Sequence, residues 1–176
     1  MRLVKKILAL VLVLFIIVQF IRPARNISNG LLPTDISKLV PIPDSVRSLL
    51  HTACYDCHSN NTRYPWYVNV QPMGWLMAKH VREGNMELNF SEFGGYSRRR
   101  QLSKLKAISG SIKNGTMPLP SYTLLHHDAR LSGIEKIMIM KWATGYVRQS
   151  SGHQLRLRCS IDTLELKRIG LMYPRL

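Results

Sequence analysis

The chain has 176 residues, of which 45% are hydrophobic, so it can bury one ordinary core and we expect one domain. Lys and Arg outnumber Asp and Glu by 25 to 10, and the excess is spread along the chain. Basic and aromatic residues do not alternate along any segment that resembles a nucleic-acid-binding helix or strand, so we expect no nucleic-acid partner. A membrane surface or an acidic protein explains the charge at least as well.

The N-terminal segment 1–25 has the pattern of an export signal. Its basic start, MRLVKK, precedes an apolar run from Ile7 to Ile21. The positive-inside rule keeps the basic end in the cytoplasm and sends the following domain across the membrane. No small-residue cleavage site follows, so we expect an uncleaved anchor helix in the inner membrane, lengthened by the Lys6 and Arg22 side chains. The alternative is a signal peptide whose cleavage releases the protein into the periplasm.

Residues 26–43 hold three prolines and no lasting periodicity, which predicts a linker. The folded domain is then expected over residues 44–147. It opens with a helix capped by the Asp-Ser pair at 44–45, and its apolar positions recur at helical intervals through Cys54 and Cys57. Both cysteines are therefore expected on the buried face of one helix.

The sequence CYDCH at residues 54–58 is the attachment signature of c-type haem. Cysteines three positions apart present their thiols one helical turn apart, which matches two vinyl groups on one edge of a porphyrin. We expect Cys54 and Cys57 to form thioether links, and His58 to bind the iron from below. The motif occurs once, so we expect one covalent haem c per chain.

Three other kinds of site can use such a cysteine pair. A structural zinc site needs four ligands, and Cys159 with a scattered histidine makes a poor second pair. A thioredoxin-like dithiol needs a βαβ context, which the pattern lacks. A plain disulfide suits an exported protein but leaves His58 without a role.

Aromatic residues are dense after the motif, at Tyr64, Trp66, Tyr67 and Trp75. Such rings usually lie in a core. A haem would itself be part of the core here, so we expect these rings to wall the porphyrin and bind the cofactor. A helix from about Pro72 to Glu83, ended by Gly84, is predicted next.

The segment SRRRQLSKLKAISGSIKNG spaces apolar residues at helical intervals beneath a strongly basic face. This face is either simply solvated or a docking surface for an acidic redox partner. The Asn114-Gly115 pair is predicted to end the helix.

The sequence TMPLP follows this basic helix. Pro118 and Pro120 favour extended backbone, which places Met117 well to offer its thioether to the iron as the upper ligand. The rival ligands are the histidines at His80, His126 and His127.

A capping box formed by Ser132 and Glu135 predicts a last helix that reaches about Tyr146. Residues 148–176 form a basic tail that we expect to be weakly ordered, although part of it alternates as an edge strand would. Cys159 in this tail would be an unpaired thiol, because the haem takes the other two cysteines.

These elements predict an all-α, cytochrome c-like helical domain around one covalent haem, behind an N-terminal anchor. The runs ACYDCHSNNTRYPWY and GTMPLPSYTLLHHDARLS resemble the small haem-binding domain family of exported bacterial proteins, over about residues 40–147. The resemblance implies a monohaem unit with His58 below the iron and Met117 above it.

Two classes of function fit these expectations. The first is a monohaem c-type cytochrome that transfers one electron at a time in the periplasm, with a redox protein as its partner. The second is a haem-based ligand-binding or sensor module with an exchangeable upper position. Thioether ligation favours the first class, because it fills the iron site and raises the reduction potential. We expect no enzyme, because an enzyme needs a polar group poised beside an open iron.

Overall fold

A computed structural model describes residues 1–28, 30 and 32–168, with side chains described as far as residue 152. Every regular element in this part of the chain is a helix, which confirms the predicted all-α class. The helices are α1 (Arg2–Val18), α2 (Ile36–Leu39), α3 (Asp44–Ala53), α4 (Tyr55–His58), α5 (Met73–Glu87), α6 (Arg98–Lys113), α7 (Pro120–Leu125) and α8 (Gly133–Arg168). Short 3₁₀ turns occupy Trp66–Asn69, Phe93–Gly95 and His127–Ala129.

The N-terminal helix α1 has 17 residues, and none of them is buried against the rest of the chain. Among the described residues, no helix is both long enough and apolar enough to cross a membrane.

The end of α1 is tied to the domain by polar contacts. The backbone N–H of Gln71 donates to the side-chain oxygen of Gln19 at 2.8 Å. The indole N–H of Trp75 donates to the carbonyl of Ile21 at 2.9 Å. The chain beyond α1 therefore runs along the start of α5.

The segment predicted as a linker, residues 26–43, is packed into the folded part of the chain. Ile36 is fully buried, Val40 and Ile42 are nearly so, and all three belong to the main hydrophobic core. The backbone N–H of Ile36 donates to the carbonyl of Phe90 at 2.9 Å. Burial of three apolar side chains outweighs the proline-rich character of this segment.

The prediction of a single helix through both cysteines is wrong, because the helix is interrupted at Cys54. Helix α3 ends at Ala53, and Cys54 has φ −129° and ψ −39°. The short helix α4 then carries Cys57 and His58. The apolar spacing continues across this break, which is why periodicity alone did not reveal it.

The pairing of α6 with α8 forms much of the main core, through buried residues such as Leu105 and Ile139. Two predicted termini of these helices are confirmed, namely the end of α6 and the start of α8. Asn114 caps the end of α6, and Gly115 follows with φ +70°, a conformation that glycine adopts without strain. At the start of α8, Ser132 donates its backbone N–H to Glu135 at 2.7 Å, and its hydroxyl accepts from the Glu135 N–H at 3.3 Å.

Two predicted helix ends and one predicted extended segment are corrected. Helix α5 continues past Gly84 to Glu87. Pro120 does not extend the chain but opens α7, where proline suits the first helical position. Helix α8 runs past Tyr146 to Arg168, so the edge strand considered for the tail is a helix instead. The side chain of Cys159 and residues 169–176 lie outside the described part, and the weak order expected of the tail stays a prediction.

Candidate haem site

Two adjoining cavities open beside the motif, with volumes of about 190 Å³ and about 170 Å³. They share six lining residues: Ala53, Cys54, His58, Glu87, Met117 and Pro118. We treat them as one cleft and call it the motif cleft. Apolar side chains of the core wall the larger cavity, namely Leu88, Phe90, Ile108, Ile112 and Leu131. The smaller cavity is completed by Cys57, His80, Glu83, Gly84, Leu119 and Tyr122.

The two motif cysteines reach this cleft as free thiols. Burial, together with the neighbouring Cys57, raises the pKa of the Cys54 thiol to about 12. Burial and the Asp56 carboxylate raise the pKa of the Cys57 thiol to about 11. Both sulfurs are therefore protonated at neutral pH when no group is bound, whereas a reactive dithiol needs a thiolate.

The His58 side chain is oriented by two backbone carbonyls. Its Nδ1 lies 2.9 Å from the Gly84 oxygen and 2.9 Å from the Leu88 oxygen. Carbonyls only accept, so Nδ1 must carry the proton and donate, which leaves Nε2 with a free lone pair. Burial lowers the pKa of His58, although both of these hydrogen bonds act to raise it. A neutral imidazole with a free Nε2 is the form that binds a metal.

Gly84 lets α5 approach the motif closely. A Cβ at this position would lie 2.4 Å from the carbonyl oxygen of Cys57, much closer than any side-chain carbon can approach. Glycine is therefore required here by packing rather than as a helix end. The same residue supplies one of the two carbonyls that orient His58.

Met117 lies on the loop between α6 and α7 and lines both cavities of the motif cleft. His80, its rival as the upper ligand, lines only the smaller cavity. His126 is placed elsewhere, with its Nε2 3.0 Å from the Tyr67 hydroxyl, and His127 is exposed. The structure thus brings Met117 and His80, but neither loop histidine, to the cleft that holds His58.

The four aromatic residues predicted to wall the porphyrin do not line either cavity of the motif cleft. Trp66 is 79% exposed, and Trp75 bonds to the segment after α1. The Tyr64 hydroxyl accepts the backbone N–H of Asn26 at 2.7 Å. Tyr67 packs in the smaller of the two core clusters and contacts His126. The high proportion of aromatic residues in this segment indicated packing, but it did not indicate which residues each ring would contact.

A buried polar group that the sequence reading did not single out lies inside the motif. Asp56 is 4% exposed, and its carboxylate accepts hydrogen bonds from Arg63 and from the hydroxyl of Tyr122. Tyr122 itself lines the motif cleft. The signal that could have found Asp56 is its position: an acid between two inward-facing cysteines needs buried partners.

The donor set of the cleft fits a haem. Two thiols, an imidazole with a free nitrogen and a thioether meet at an apolar cleft, and these are the groups that hold haem in c-type sites. Within residues 1–28, 30 and 32–152, no three His, Cys, Asp or Glu side chains come together as a metal site.

Comparison with known proteins gives the family. The model of a family described as a haem-binding domain matches residues 13–145, which confirms the resemblance seen in the sequence. No curated protein and no solved structure matches the chain. The chain belongs to the haem-binding domain family and is a haem-binding protein.

Proposed function

We propose that the protein is a monohaem c-type cytochrome that transfers single electrons. Cys54 and Cys57 hold one haem through thioether bonds in this proposal. His58 is the lower ligand of the iron, and Met117 is the upper ligand. The observation that carries the proposal is that all four side chains meet at the motif cleft, although about sixty residues separate the histidine from the methionine.

The bound haem supplies an iron that changes its charge by one, and the residues around it set how readily it does so. The carbonyls of Gly84 in α5 and of Leu88 just after it fix the lower imidazole, which limits its movement when the charge changes. A thioether above favours the reduced state and occupies the position that an external ligand would need. Most of the side chains that wall the larger cavity are apolar, which lowers the polarity around the site.

A second candidate function is a sensor or ligand-binding module. It is favoured by His80, which lines the smaller cavity and could take the upper position or stand beside an open iron. The Glu83 and Glu87 carboxylates line the same cavity and could bind a polar ligand there.

Carbon monoxide separates the two functions. We expect the absorption spectrum of the reduced protein to stay unchanged under carbon monoxide, because Met117 fills the upper position. Met117→Ala should bind carbon monoxide with a clear spectral shift, and His80→Ala should behave as the wild type. A shift in the unchanged protein would contradict the carrier and support the sensor.

We also propose that the redox partner is an acidic protein that docks beside α6. This helix walls the larger cavity with Lys104, Ala107 and Ile108. Further along its exposed face lie other basic residues, at Arg98, Arg99, Arg100, Lys106 and Lys113. Positive charge beside a redox centre steers a negatively charged partner toward it.

The proposed location is the periplasmic face of a bacterial inner membrane, with α1 as the anchor. In support, α1 is an apolar helix without one buried residue, and basic residues stand at both of its ends. Exposed apolar side chains around a whole helix favour a lipid environment over water.

A further inference from the structure

Asp56 is a buried carboxylate at the centre of the motif, between the two cysteines. Its Oδ1 accepts the backbone N–H of Arg63 at 3.1 Å and the Arg63 Nε–H at 3.2 Å. Its Oδ2 accepts the hydroxyl of Tyr122. A charge this deeply buried is stable only with such partners, so these contacts form a fixed unit.

Tyr122 lies in α7, so its hydrogen bond connects Asp56 to that helix. Its side chain is 7% exposed and lines the smaller cavity. The ring of His126 stacks on it with centroids 3.9 Å apart. The hydrogen bond from Tyr122 to Asp56 therefore joins α7, on the Met117 side of the cleft, to α4, which carries His58.

Met117 lies on a short loop that is held at both ends. At the α6 end, the carbonyl of Ser111 accepts the backbone N–H of Thr116 at 3.0 Å and the N–H of Met117 at 3.4 Å. At the other end, the hydrogen bond from Tyr122 to Asp56 ties the start of α7 to the motif. Without that bond, α7 keeps the hydrogen bond from Arg130 to the Thr123 carbonyl and the contact of His126 with Tyr67, but neither reaches the motif.

We infer that Asp56 and Tyr122 are positioning residues, and that their hydrogen bond fastens the Met117 loop over the motif. The inference rests on the proposed function, because it requires Met117 to be the upper ligand. The motif thus supplies more than attachment and the lower ligand: through Asp56 it also places the upper one. A ligand held in this way pays little conformational entropy on binding and resists displacement.

The test is the binding of imidazole to the oxidised haem protein, followed by its absorption spectrum. Tyr122→Phe keeps the ring and removes the hydroxyl. We expect it to raise the imidazole affinity about tenfold, toward the lower end of the effect of losing one hydrogen bond to a charged group. The matched control is Tyr146→Phe, which removes a hydroxyl on α8 that accepts a hydrogen bond from Arg98 of α6. We expect the control to bind imidazole as the wild type does.

Hydrogen exchange gives a second readout that does not depend on an added ligand. In the haem-bearing protein, Tyr122→Phe should speed exchange at the amides of residues 116–123, while the amides of α6 stay protected. Asp56→Asn, which keeps the shape and an acceptor oxygen, should move both readouts in the same direction by less. If Tyr122→Phe does not take up haem, the imidazole affinity and hydrogen exchange of Asp56→Asn alone test the positioning role.

Met117→Ala distinguishes failure of this inference from failure of the proposed function. If Met117→Ala gains imidazole affinity while Tyr122→Phe and Asp56→Asn match the wild type, the positioning role is overturned and the upper ligand stands. If Met117→Ala also matches the wild type, the upper ligand is not Met117, and the positioning role falls with it.

Discussion

At the residue scale, the His58 imidazole owes its free Nε2 to two backbone carbonyls of the α5 region. The Gly84 and Leu88 oxygens both accept from Nδ1, so the tautomer is fixed before any metal binds. Gly84 has a second role, because its lack of a side chain lets α5 touch the Cys57 backbone. One glycine therefore sets both the distance between two helices and the orientation of a ligand.

This double role makes Gly84→Ala a sharp test. The new Cβ would meet the Cys57 carbonyl oxygen at 2.4 Å, and backbone on both sides cannot shift cheaply. We expect the free energy of unfolding to fall by about 1–3 kcal/mol, measured by chemical denaturation. Gly110→Ala is the matched control, since it lies in α6 with nothing within 4 Å of its Cβ.

We expect Gly110→Ala to raise the stability by about 0.5–1 kcal/mol, because alanine is the better helix former. Equal stabilisation of both variants would contradict the close approach of α5 to the motif.

At the element scale, local sequence signals predicted α6, the start of α8 and the helical class. Helix caps and apolar spacing depend only on residues that are close together in the sequence. They did not predict the break at Cys54 or the continuation of α5 through Gly84. Both depend on contacts between helices, which no local pattern carries. The cysteines and the histidine of the motif could be singled out because their spacing matches a chemical group, whereas Asp56 and Tyr122 stand 66 residues apart and meet only in the fold.

The basic face of α6 yields a prediction about electron-transfer rates. The side chain of Lys104 lines the motif cleft and lies 3.3 Å from the Glu87 carboxylate. Lys104→Gln removes positive charge at the cleft, so oxidation of the reduced protein by the anion ferricyanide should slow several-fold at low ionic strength. Stopped-flow absorbance measures this rate, and added salt should shrink the difference.

The control is Lys141→Gln, on the exposed surface of α8, which changes the net charge equally. We expect its rate to stay close to that of the wild type. Equal slowing in the two variants would mean that overall charge, and not the α6 face, attracts the anion.

At the scale of the whole molecule, the folded unit extends further toward the N-terminus than the proline content suggested. Residues 26–43 contribute to the core, and the side chain of Gln19 contacts the start of α5. The family match, which begins at residue 13, covers the same segment. An anchor joined in this way, without a free linker, would hold the motif cleft at a limited range of distances from the membrane.

This organisation predicts that residues 1–25 remain on the mature protein. Fractionation of cells should place the protein with the inner membrane, and N-terminal sequencing should find the start of α1. Detergent should be needed to release it, because the apolar side chains of α1 are not covered by the domain. A soluble product that starts near Asn26 would show that the segment is a cleaved signal peptide.

The central claim, one haem bound covalently by Cys54 and Cys57, is tested most directly by the intact mass of the denatured protein. The account predicts the mass of the polypeptide plus one haem, retained after extraction with acidified acetone. The double variant Cys54→Ala and Cys57→Ala should lose this addition, while Cys159→Ala should keep it. Haem that extracts freely from the wild type, leaving the mass of the bare chain, would contradict the account.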